Sequence, residues 1–172
     1  MKNCNVHHLN YQAEFEDRAI LDAALMLSKK ARHDNSLIEI AEFIYKHTKT
    51  KYVVIGSLSD HETHVHTIVF MEDGKLLENF TYSLHGTPCL EAVSQKFCYY
   101  PFGLTDCFPE DEDLKTLGVE SYLGAILLSE KDEQIGLTAL MDTKQISNPA
   151  FAEYLIKVLS PAIEEELKTL KI

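Results

Sequence analysis

The feature that most restricts this chain is that its strand-like segments arrive in groups joined by turns too short for a crossover. "KYVVIGSLSD" is short and β-branched, "HETHVHTIVFMEDG" alternates up to a turn at Asp73-Gly74, and "KLLENFTYSL" continues as a third strand. Farther on, "SYLGAILLSE" and "QIGLTALMDT" are joined only through the polar residues of "EKDEQ". Connections of this length pair neighbours antiparallel, because a parallel pair needs about a dozen residues or more to return.

Helical patterns lie before, between and after these groups. "EFEDRAILDAALMLSKKAR" carries Phe15, Ala19, Leu21, Ala24, Leu25 and Leu27 or Ser28 at helical recurrence. "HDNS" then offers Asn35 or Ser36 as N-cap for a second helix, with Leu37, Ile40, Ala41, Ile44 and Tyr45 on one face. A short helix is expected from Pro88 to Gln95, with Thr87 as its cap and proline where a missing N–H costs nothing. "KFCYYPFGLTDCFPEDEDLKTLGVE" is the least regular stretch: a short strand over Phe97–Tyr100, a loop through Gly103 and Pro109, and a brief helix over Glu110–Leu117. The last helix starts at Asn148 or Pro149. Its stripe of Phe151, Leu155, Leu159, Ile163, Leu167 and Leu170 suits either a core-facing side or a dimer seam, with Pro161 expected to kink it. Hairpins flanked by helices make an α+β fold with an antiparallel sheet. Residues 1–12 read as a polar extension and 13–172 as one domain.

With 27 acidic against 16 basic residues, the net charge is −11. Such a surface repels phosphate backbones and anionic membranes, so neither nucleic acid nor membrane is an expected partner. The N-terminus lacks the apolar run of a signal peptide, and no run approaches the roughly 18 residues needed to span a bilayer. A cytoplasmic location with free thiols follows as the expectation. Cys4, Cys89, Cys98 and Cys107 show no paired zinc-ligand spacing. His61, His64 and His66 read as an exposed polar hairpin, so no metal site is expected.

Four fragments in order carry a family resemblance: Gly-Thr-Pro-Cys within "YSLHGTPCLEAV", Phe-Pro-x-Asp, Leu-Gly-x-Glu-Ser-Tyr-Leu-Gly, and Ile-Gly-x-x-x-x-Met-Asp. Together they resemble a GAF domain, over roughly residues 14–170. The resemblance implies a GAF (PAS-like) fold, with a central antiparallel sheet flanked by N- and C-terminal helices and a small-molecule pocket on one face. It also implies a sensory or regulatory role in signal transduction, a homodimer through the terminal helices, and an output domain or partner protein. The "NKFDE"-type mark of cyclic-nucleotide binders and the Asp-Ile-Pro segment of bilin binders are missing, so the ligand is an unknown small molecule and the cofactor unknown.

Cys89 has two readings. In the first turn of a helix, with His85 four residues earlier, it could be a thiolate acting as redox sensor or nucleophile. As a small residue it could equally pack the helix onto the sheet. The GAF family includes enzymes that reduce free methionine sulfoxide, but their cysteine signature is not recognisable here and no catalytic residue is assigned. The candidate ligand pocket comprises Tyr82, His85, Cys89, Phe97, Tyr99, Tyr100, Phe108, Asp111 and Tyr122, aromatic surface with a few polar groups.

Overall fold

The computed structural model of the protein describes residue 9 and residues 14–30 and 33–170. The extension expected over residues 1–12 lies, apart from Leu9, outside them. Two helices come first, α1 (Phe15–Lys29) and α2 (Ser36–Thr48), followed by β1 (Tyr52–Leu58) and β2 (His64–Glu72). The expected third strand is split into β3 (Lys75–Leu76) and β4 (Thr81–Ser83). Next come α3 (Pro88–Gln95), β5 (Phe97–Tyr100), α4 (Leu104–Cys107) and α5 (Glu112–Leu117), then β6 (Ser121–Leu128), β7 (Gln134–Asp142) and α6 (Pro149–Leu170). The sheet is antiparallel throughout, in the order β3-β2-β1-β7-β6-β5, with β4 also paired to β2.

The turn at Asp73-Gly74 has the residues its geometry demands. Both have positive φ, 48° and 80°, the pattern of a two-residue hairpin turn whose twist matches the strands. The third strand is interrupted because β2 bulges: Ile55 pairs with Val69 but Gly56 with Thr67, leaving Ile68 over. Asn79 fills the gap by accepting from the Thr67 hydroxyl and donating to the Ile68 carbonyl, each at 2.9 Å. The irregular segment is more ordered than expected, with α4 formed where a loop was read. α5 begins at Glu112 because Asp111 is its N-cap, accepting the Leu114 N–H at 3.2 Å.

The sheet is covered on both faces. On one, α2 and α6 lie against the strands and α1 packs outside them, enclosing Ile40, Ile44, Val53, Ile55, Leu123 and Leu140. On the other, α3, α4 and α5 enclose Tyr52, Val54, Cys98, Tyr122 and Leu137. The α6 stripe is spent on the first core from Phe151 to Leu167, and the helix runs through Pro161 unbroken. Exposed apolar side chains in this layer lie on α1, where Met26 is 76% exposed, and on α6 at Tyr154 and Leu170. Gly136 lets α6 approach, since a side-chain carbon there would sit 2.7 Å from Leu167 Cδ1.

Asp142, the last residue of β7, ties the ladder to the chain on either side. Its buried carboxylate accepts the Lys51 N–H at 3.0 Å and the Lys144 N–H at 3.3 Å. Hydrogen bonds to a buried charge are among the stronger ones, and their loss strands the donors. Replacing Asp142 with alanine is expected to lower the unfolding free energy by about 3 kcal/mol. Urea denaturation should show an earlier midpoint with an unchanged slope.

Candidate functional site

A cavity of about 50 Å³ lies between the sheet and the α3–α5 layer. Its floor is Val54 from β1, Phe70 from β2, Tyr122 from β6, and Ala139 and Met141 from β7. Pro88 and Cys89 of α3 form one wall, Leu114 and Leu117 of α5 the other. Phe80, Tyr82, Asp111 and Asp113 complete the rim, where Phe80 and Asp113 reach solvent. A volume of this size holds about three to five water-sized groups.

The position of Tyr122 depends on Gly124. The two stand on the same face of β6, two residues apart. The Tyr122 ring lies across the glycine so closely that an added side-chain carbon would be 2.5 Å from its hydroxyl oxygen. The ring thereby reaches α3, where its O–H donates to Cys89 Sγ at 3.1 Å. Tyr82, from β4, places its hydroxyl 3.2 Å from the same sulfur. This accounts for the Tyr-Leu-Gly run of the sequence: the glycine leaves the space that the tyrosine occupies.

The thiol at the centre is 5% exposed. Burial pushes its pKa up, outweighing the two phenol hydrogen bonds that favour a thiolate, and Asp111 adds to the rise. Tyr82 and Tyr122 are held well above the ordinary phenol range, again mainly by burial. Asp111 is raised by burial despite its bond from Leu114. His85 is not part of this arrangement. Its side chain is 86% exposed and sits 3.5 Å from Glu110. Cys89 is therefore a neutral thiol bonded to two phenols, with no histidine beside it. Cys98 is likewise free, buried and shifted upward, whereas Cys107 is disulfide-bonded, which departs from the expectation of free thiols throughout.

The candidate residues divide cleanly. Tyr82, Cys89, Asp111 and Tyr122 meet at the cavity. Tyr100 and Phe108 lie in the same layer, edge to face with ring centres 5.3 Å apart, and do not line it. Phe97 and Tyr99 point through the sheet to the α2/α6 side, where Lys157 Nζ sits 5.7 Å from the Phe97 ring centre. Alternation along β5 puts Phe97 and Tyr99 on one face and Tyr100 on the other. Asp113, in the same irregular segment as Asp111, also reaches the cavity. Phe70 and Phe80 were missed, although Phe80 stands two residues before Tyr82 and so shares its face. His64 and His66 are exposed, each with its ring on a threonine hydroxyl.

No protein-family profile and no curated protein matches the sequence. Solved structures do match its fold. One is the chromophore-binding domain of an unusual bacteriophytochrome from R. palustris, with a TM-score of 0.69 and 10% identity, covering 91% of this chain and 63% of that one. Another is the phytochrome photosensory core module of Stigmatella aurantiaca, at 0.69 and 13% identity, covering 93% and 38%. A third is the free methionine-R-sulfoxide reductase of Neisseria meningitidis, solved with its substrate, at 0.70 and 13% identity, covering 94% and 96%. The chain thus spans less than two thirds of those two phytochrome chains and nearly all of the reductase. Its architecture is an antiparallel sheet between two helical layers, and that fold is the GAF fold.

Two outcomes follow from the Cys89 cluster. Gly124→Ala is expected to cost about 2 kcal/mol, because Tyr122 must leave its place or the strand must move. Thermal denaturation should show the loss, and the Tyr122→Phe, Gly124→Ala double variant should lose less than the sum of the singles. The second concerns alkaline pH. Cys89 and Cys98 both have folded pKa values above their unfolded ones. The stability this confers is complete below about pH 8.5 and is lost above it, by up to about 1.4 kcal/mol per pH unit for each thiol. Unfolding measured from pH 8 to about 10 should show this decline, with a shallower slope in Cys89→Ala.

Proposed function

We propose that this chain is a sensory or regulatory domain that holds a small molecule in the cavity between its sheet and α3–α5. The observation that carries the reading is the cavity itself. A mostly apolar space converges on a few fixed polar groups, the Cys89 thiol with its two phenols and the Asp111 carboxyl, which is the usual composition of a small-ligand site. The fold lends support by analogy, since photosensory modules are among its structural neighbours. With room for only a few heavy atoms, the cavity suits a very small ligand or one end of a longer one reaching out between Phe80 and Asp113.

Two other readings use the same residues differently. A thiol sensor, or an enzyme of the methionine sulfoxide reductase kind, needs a cysteine that ionises readily and can be reached. Cys89 and Cys98 are buried and shifted toward the neutral thiol, so at these two residues the geometry favours ligand holding over thiol chemistry.

Native mass spectrometry of the purified chain, with a thermal-shift screen of small metabolites, tests the proposal. The expected result is a retained mass or a ligand-dependent rise in melting temperature that disappears in Ala139→Val. That substitution puts two carbons into the cavity from a strand that accepts β-branched residues. A screen with no stabilising compound, or stabilisation unchanged in Ala139→Val, would overturn it.

A further inference from the structure

We propose that the cavity selects a small organic cation, an ammonium or methylated ammonium group; this deepens the small-ligand reading and rests on it. The charged side chains among the described residues lining the cavity are Asp111 and Asp113, and none of these lining residues is Lys, Arg or His. The lysine of α5, Lys115, is engaged with Glu112 at 3.0 Å. Both carboxylates help to raise the Tyr82 pKa, so their field reaches the phenol at the rim. An anion placed there would face that field in a partly desolvated space, where it is poorly screened.

The uncharged groups add acceptors and one donor, since the Tyr82–Cys89 contact uses only one of its two hydrogens. Tyr122 spends its hydrogen on Cys89 and leaves an oxygen that can only accept. The donors that a helix start would offer are reduced on both sides. Pro88 has no N–H and the Leu90 N–H is bonded to the Thr87 carbonyl, while Asp111 takes the Leu114 N–H of α5. Aromatic rings supply the rest. Phe70 and Phe80 meet edge to face at 5.2 Å, and Phe80 continues to Tyr82 at 5.6 Å, forming a bent wall at the rim beside the carboxylates. Aromatic side chains and two carboxyl groups around one space, with no basic side chain among the lining residues, attract a cation by quadrupole and charge together. The 50 Å³ of space holds about three to five water-sized groups, which admits a methylammonium and sets tetramethylammonium at the upper limit.

The test is a titration of the ¹⁵N-labelled full chain with three branched probes of different charge: tetramethylammonium, tert-butanol of the same heavy-atom count, and the larger pivalate. Amide shifts of Cys89, Asp113, Leu114 and Ala139 report the cavity. Tetramethylammonium is expected to bind at about millimolar concentration, at least tenfold tighter than either other probe. Asp113→Asn and Phe80→Leu, both at exposed positions, should each weaken it about threefold. If tert-butanol or pivalate moves the same amides as tightly, the cation inference falls and the small-ligand reading stands. Tetramethylammonium shifts confined to other surfaces, or binding unchanged in both variants, also overturn the inference. If no probe moves these amides at about 100 mM and the ligand screen is blank, both readings fall.

Discussion

The sheet is buried on both faces, so its pleat assigns every central side chain to one of two cores. Val53, Ile55, Leu123 and Leu140 go to the α2/α6 layer, while Tyr52, Val54, Tyr122 and Ala139 go to the layer that contains the cavity. A slip of one residue would exchange the sets, placing Tyr122 under α6 and Leu123 against Cys89. Register is therefore the condition on which the site depends. It is pinned by the bulge at Ile55/Gly56, by the shift at Leu127/Leu128, and by Asp142 binding the residues that flank β1 and β7.

Within the second layer, small residues create the space and large ones define it. Gly124 lets Tyr122 lie flat against its own strand, and Ala139 keeps the floor low beside it. Cys89 then does in the fold what a small polar residue can do: it fills the start of α3, accepts the Tyr122 hydroxyl and pairs with that of Tyr82. A helix start and a nearby histidine in sequence suggest a reactive thiolate. Desolvation decides otherwise, and His85 is turned out to Glu110.

Most elements were legible in the sequence because their signals are local. Asp73-Gly74 is the hairpin turn its dihedrals require, and Pro88 starts α3 where an unpaired N–H would otherwise be lost. The failures have non-local causes. β3 and β4 read as one strand because the bulge interrupting them belongs to β2. α4 read as loop because a helix of four residues leaves no periodicity to detect. At the site, Tyr82, Cys89, Asp111 and Tyr122 were legible through their motif positions. Phe97 and Tyr99 joined the candidates because they share an aromatic run with Tyr100, and only pairing with β6 shows which way each side chain faces.

What the sequence determined by itself was the antiparallel α+β plan, since short turns and alternating apolar residues act over a few positions. The motif run around Cys89 and Tyr122 likewise carried the GAF resemblance without any coordinates. Tertiary structure alone decided that Phe70 and Phe80, ten positions apart, form one wall with Tyr82. It also decided that Cys89 stays a neutral thiol. Both are matters of which groups are brought together away from water, and neither desolvation nor cross-strand register is set by neighbours along the chain.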